Sequence, residues 1–239
     1  MRTSLITKTL ALTVAAAALV GFASPTAAGA ATEPRYITVS SEGTVKVVPD
    51  AVRLNATVSV VAASNKEALA AASTKATAVR AALTAAGVAK TDIATQSITA
   101  YPEYTYPQDK GQVLVGYRAS QSFNVVLRKT ATAGDVVDAV VAAGGDAIQV
   151  NGVTPFILDP TKATAAARAT AVKNAKAKAV SYASLLGVKL GRVNYLSENS
   201  APNSYPIAMA AMAKSDAGAT VVDLGQQDVT VSITVQWAL

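Results

Sequence analysis

The chain has 239 residues, with 21 Lys and Arg against 15 Asp and Glu, no histidine and no cysteine. That composition removes the commonest general base, the thiol nucleophile, disulfides and most transition-metal ligands at once. The first residues read as an export signal and are set apart before the charge is weighed. Arg2 and Lys8 precede an apolar run over residues 9–23, and Ala28, Gly29 and Ala30 fit the small-residue rule for cleavage. The run is short against the ~20 residues a bilayer span needs, which favours cleavage after Ala30 or Ala31 over a retained anchor. A signal peptide over residues 1–31 is therefore expected, with no transmembrane span in the mature form. Without Arg2 and Lys8, 19 basic residues face 15 acidic ones. That mild surplus does not imply a nucleic-acid partner.

Taken in chain order, the first clear element is a strand. In "VRLNATVSV", Val52, Leu54, Ala56, Val58 and Val60 alternate with polar residues, the mark of a sheet with one buried face. Ser64 and Glu67 then form a capping box for a helix ending near Ala86, with Gly87 beyond it. Tyr101, Tyr104 and Tyr106 cluster in "YPEYTYP", a loop able to stack on a sugar or base or to serve as a plain surface turn. "YRASQSFNVVL" is the next strand, with Tyr117, Ala119, Phe123, Val125 and Leu127 inward and Gln121 as the exception. Thr132 and Asp135 offer a second capping box for a short helix over residues 132–143, closed by Gly144 and Gly145. Asp159 caps a third helix with Pro160 in its first position, and that helix ends at Gly187. Met209 and Met212 follow in a loop that reads either as a contact surface or as a connection. The chain closes on "VTVSITVQWAL", where Val229, Val231, Ile233, Val235, Trp237 and Leu239 share one face.

A long-range echo links the halves. Gly87 and Val88 end one helix as Gly187 and Val188 end another, and Tyr106 and Pro107 are echoed by Tyr205 and Pro206. We read two strand–helix–strand–strand pseudo-repeats over residues 51–128 and 146–239, joined by the short helix at 132–143. The fold class expected is α/β in the α+β sense, with an antiparallel-rich sheet and helices on one face.

The third helix raises the sharpest question. Ala167, Ala171, Ala175, Ala179 and Ala183 recur every four residues, with Tyr182 and Leu186 on the same side, so they form a ridge of small side chains suited to close packing. Residues 160–192 also carry Lys162, Arg168, Lys173, Lys176, Lys178, Lys189 and Arg192 and no acid. The ridge predicts a packing helix whose lysine stems cover apolar edges while their ammonium groups reach water. The unbalanced charge predicts possible anion or partner contact through Lys162, Lys173, Lys176, Lys178, Lys189 and Arg192.

No nucleophile elbow, phosphate-binding loop or dinucleotide fingerprint is present, so no catalytic residue, cofactor or metal site is expected. Carboxylates could still serve a hydrolase, but Glu67, Asp135 and Asp159 read as caps and Asp50 as a turn residue.

Four stretches stand in a fixed order: "SSEGTVKVVPDAVRLNATVSV" with Gly43, Pro49 and Asp50, "GVAKTDIATQSI", "VGYRASQSFNVVLR" with Gly116, Tyr117 and Arg118, and "FILDPTKATAAARATAVKNAKAKAVSYASLLGVKLG" with Ala167 and Arg168. In this order they resemble the SIMPL-domain family of bacterial periplasmic and outer-membrane-associated proteins. The likeness runs from Arg35 to Leu239, so residues 32–239 form one SIMPL-like domain. It departs from the family pattern before the last strand, where "VVDLGQQ" replaces a proline-containing turn, which sets the 199–226 loop apart. The resemblance implies export to the periplasm, cell envelope or extracellular space, self-association and a link to stress defence, with no family catalytic residues to carry over. The leading expectation is thus a non-enzymatic, self-assembling envelope protein, a homo-oligomer that meets an envelope protein or anionic surface and no nucleic acid. An anion-binding module using residues 160–192 and a carboxylate-dependent hydrolase are the alternatives.

Overall fold

The computed structural model of the chain describes residues 35–199, 203–206 and 220–239. The signal peptide read at 1–31, Met209, Met212 and most of the 199–226 loop lie outside the described residues. The elements are β1 (Tyr36–Val47), β2 (Ala51–Ala62), α1 (Asn65–Ala85), β3 (Ile93–Thr105), β4 (Val113–Leu127), α2 (Ala133–Gly144), β5 (Ile148–Phe156), α3 (Thr161–Leu185), β6 (Val193–Glu198), β7 (Asn203–Pro206) and β8 (Gln227–Ala238). The fold is α+β and the strand pairings are antiparallel.

The strands divide between two sheets. One has the order β3-β4-β2-β5; the other runs β1-β8-β6, with β7 also paired to β8. β5, the strand ahead of α3, lies beside β2 in the first sheet, and β1 takes the place beside β8 in register from Tyr36↔Ala238 to Val47↔Gln227. The helices are divided too. α1 and α2 cover the first sheet, where Leu54, Val58, Phe123 and Val125 meet Ala76, Val79 and Leu83 of α1 and Val136, Val137 and Val140 of α2. α3 covers the second sheet alone and sets its alanine ridge on Ile37, Val39, Val231, Ile233, Val235 and Trp237.

All five ridge alanines are buried, as the four-residue spacing predicts. Tyr182 and Leu186 are exposed, because the contact is a single narrow row and the larger side chains beside it fall outside. Gly43 explains how close the helix comes. A Cβ at that position would lie on the Ala167 carbonyl oxygen and the Ala171 nitrogen, and 2.9 Å from Thr170 Cβ. β1 was not evident from its pattern for the same reason. Its inward face reads Ile37, Val39, Ser41, Gly43, and small residues stand where apolar alternation would continue.

Local signals hold with three corrections. Ser64 caps α1 by accepting from the Glu67 N–H at 3.3 Å, and Asp159 accepts from the Thr161 N–H at 3.0 Å and its hydroxyl. The Thr132 box does not form: its hydroxyl donates to the Lys129 carbonyl, and a 3-10 turn over Thr130–Thr132 leads into α2. Leu239 lies one residue beyond the end of β8 and is 38% exposed, outside the buried row of the strand. α3 begins at Thr161 with Pro160 at the N-cap position, so Asp159 lies one residue before the cap and accepts from the Thr161 N–H from there.

Candidate functional site

The cations of α3 and its C-terminal extension do not gather at one place. Arg168 is committed to Glu198 on β6 through two bonds of 2.7 and 3.0 Å, a fork-to-carboxylate pair. Lys178 donates to the Ser40 carbonyl at 3.3 Å, and Asn174, one turn earlier, donates to the Glu42 carbonyl at 3.0 Å. Both acceptors belong to β1, an edge strand of its sheet. The helix therefore occupies backbone groups that would otherwise be free to pair with another strand. Lys162 sits in the first turn near Asp159, whose carboxyl is held below the usual range mainly by the Thr161 hydroxyl, then by the Thr161 N–H, with a smaller contribution from Lys162. Lys173, Lys176, Lys189 and Arg192 form no salt bridge among the described residues. Of these, Lys176 and Arg192 line one open groove between α3 and β6.

A second surface is the β3–β4 hairpin. Sequence reading found its tyrosines but not its apolar partners. Tyr101, Tyr104 and Tyr106 are exposed together with Val113, Leu114 and Val115 on the returning strand, and Tyr104 stands opposite Leu114. At the base of this arm the Arg118 guanidinium donates to Glu103 at 2.6 Å and to the Ser59 hydroxyl at 3.0 Å. The Glu103 carboxylate beside it raises the Arg118 pKa further above its usual value. The signal that could have revealed the arm is the run of three apolar residues, Val113 to Val115, just ahead of the strand read from Tyr117.

The outer faces of both sheets carry polar ladders. Thr57 pairs with Ser122, Ser59 with Ser120, Ser40 with Thr234 and Thr44 with Thr230, each at 3.0 Å, and Asn124 donates to Asn55 at 3.1 Å. These cross-strand bonds stabilise the sheets and leave hydrophilic faces. Among the described residues, no three Asp or Glu side chains come together as a metal-binding group, and no helix is long and apolar enough to cross a membrane.

Displaced carboxylate pKa values run one way. Asp92 is held below the usual range chiefly by its paired bonds to Arg128, opposed by its burial; Asp138 by the Thr220 hydroxyl and N–H; Glu198 by Arg168. Each is a carboxylate stabilised in its charged form by a hydrogen-bond donor.

Comparison with known proteins follows the same landmarks. The family model SIMPL, a protein of unknown function (DUF541), matches residues 37–237. The chain is 34% identical over 217 residues to the "26 kDa periplasmic immunogenic protein" of Brucella melitensis, covering 85% of this chain and 84% of that one. The protein of the same name in Brucella abortus matches to the same extent. The "Uncharacterized protein YggE" of Escherichia coli K12 is 32% identical over 130 residues, 54% of this chain and 51% of that one. With the family model spanning both sheets and all three helices, the chain belongs to the SIMPL family.

Proposed function

We propose that the mature chain is an exported, non-enzymatic protein of the cell envelope that works by self-association and binding, in envelope or oxidative stress defence. The observation that carries the reading is the β3–β4 arm. Its exposed tyrosines and aliphatic residues project from the end of the β3–β4 hairpin, while β1, an edge of the other sheet, is held by Asn174 and Lys178. Pro102 and two register shifts interrupt β3, so a long added strand is disfavoured and side-chain docking of the arm onto a second copy fits better. The absence of histidine and cysteine supports a role without catalysis, and so do the carboxylates. The displaced ones are displaced downward, whereas a hydrolytic acid needs a raised pKa. The relatives with "periplasmic" in their names support export.

Sedimentation of the mature protein at micromolar concentration tests the assembly. A species larger than one chain is expected, reverting toward the monomer in a Tyr104→Asp, Leu114→Asp variant. A clean monomer for the wild-type protein overturns it. N-terminal sequencing of the exported product tests the signal peptide: a start just after Ala30 or Ala31 is expected, and a start at Met1 in the membrane fraction refutes it.

A second reading is favoured by the cations that form no salt bridge among the described residues. Lys173, Lys176, Lys189 and Arg192 lie within the acid-free stretch and make this surface a candidate for an anionic partner. Replacing Lys173 and Lys176 with glutamate should weaken retention on anionic vesicles, as should added salt, while the fold survives. Retention unchanged by both leaves only the structural role of α3.

A further inference from the structure

We propose that the groove between α3 and β6 binds a long-chain fatty acid, its chain against Trp237 and its carboxylate between Lys176 and Arg192. The site begins with an imbalance between the two sheets. α1 lies over the middle of its sheet, and the flank toward β3 is closed by Arg80. Its guanidinium stacks 5.0 Å from the Phe123 ring centroid and donates to the Thr95 hydroxyl at 2.7 Å. What remains of that flank is a hollow of about 240 Å³. α3 instead packs over β1 and β8, where Gly43 and the alanine ridge draw it in, and β6 is left uncovered.

The consequence is apolar surface on the wrong side of exposure. Val193 is paired with Trp237 and Leu196 with Val235, so both lie on the helix-facing side of the sheet. Yet Val193 is 52% and Leu196 51% exposed. On the helix, Val172 and Val180 stand one residue beyond ridge positions Ala171 and Ala179 and face the same opening. The groove between them has a volume of about 530 Å³, within the range of ~300–1,000 Å³ usual for small-ligand sites.

Charge selects the ligand. Lys176 lies midway along the row from Val172 to Val180, Arg192 lies on the opposite lip, and no acid lines the groove. Neither cation has a salt-bridge partner among the described residues. Apolar walls with two cations and no acid among the lining residues fit a single acyl chain ending in a carboxylate. They do not fit a cationic or uncharged amphiphile as well, because the two charges would then be desolvated without compensation. Closing the groove with the chain would cover the aliphatic side chains that α3 leaves open.

Trp237 is the sole tryptophan of the chain and forms part of the floor, which makes the test direct. The mature protein is titrated with 9,10-dibromostearate, whose bromines quench tryptophan only at short range. Saturable quenching at one ligand per chain is expected. The Lys176→Glu, Arg192→Glu variant should bind at least tenfold more weakly, and Val180→Phe, which fills the groove, should abolish quenching. Lys75→Glu, on an exposed cation of α1 outside the groove, should leave it unchanged, and the uncharged methyl ester should compete at least tenfold less well. Thermal melts of each variant confirm the fold. Quenching that is absent, fails to saturate, or is indifferent to both the charge reversal and Val180→Phe overturns the proposal. The measurement reads each chain's own Trp237, so its outcome is separate from that of the sedimentation test.

Discussion

A methyl group at position 43 has nowhere to go, since the Ala167 carbonyl, the Ala171 nitrogen and the Thr170 side chain already occupy the space. Backbone atoms of a helix cannot shift singly, so Gly43→Ala must push α3 off β1 along several residues. The cost expected is about 3 kcal/mol or more, at the upper end for overpacking. A fall in the urea midpoint with a red-shifted Trp237 emission checks it; an unchanged midpoint would show that α3 yields easily. Gly43 and Ala171 are thus one contact seen from two sides, a small residue on the strand meeting a small residue on the helix.

At the scale of elements, α3 performs two tasks with two rows of side chains. Its ridge supplies the packing, so Ala175→Leu should destabilise by about 1–3 kcal/mol through overpacking. The exposed Ala177→Leu should change stability by no more than ~0.5 kcal/mol. Paired thermal denaturation curves separate the two. The neighbouring row carries Asn174 and Lys178, which hold the Glu42 and Ser40 carbonyls of the β1 edge. Removing both in an Asn174→Ala, Lys178→Ala variant should cost about 1 kcal/mol or less, because exposed hydrogen bonds to water replace them. The same variant should aggregate faster, because the freed edge becomes a template for strand addition. Light scattering at equal concentration is the check, and an aggregation rate equal to wild type would remove the edge-guarding role.

For the whole molecule, pH sensitivity follows from the carboxylates that hold its elements together. Asp92 joins the turn before β3 to the end of β4 through Arg128, Asp138 fixes Thr220 to α2, Asp159 holds the first residue of α3, and Glu198 ties β6 to α3. Each has a folded pKa below its ordinary value of 3.8, or 4.5 for Glu198. On acidification the unfolded chain therefore takes up protons first. The stability these groups contribute is present in full above the ordinary values and is lost as pH falls through the depressed folded ones. With neither histidine nor cysteine, no side chain has an unperturbed pKa between 5 and 8. Urea midpoints should be level from about pH 5.5 to 8 and decline below about pH 4.5. A step near pH 6.5 would contradict this assignment.

Local and periodic features were legible before any fold was known. Alternation in β2, β4 and β8 defined their inward faces, and the four-residue alanine repeat defined the buried row of α3, because both patterns follow from backbone geometry alone. Ser64 and Asp159 marked helix starts because a cap needs only its own neighbours. Tertiary structure decided everything that depends on which elements meet. It separated the strands into two sheets, set β1 against β8 across most of the chain length, and placed β5 beside β2. Strand pairing at such separations is chosen by the total burial of competing arrangements, which no local window records. It also gave Arg168 a carboxylate partner on β6, turned Lys178 onto the β1 edge and set Lys176 and Arg192, which form no salt bridge among the described residues, along one groove. Their spacing showed that they were surplus; only the path of α3 over the sheet, drawn aside by Gly43, determined what each one faces.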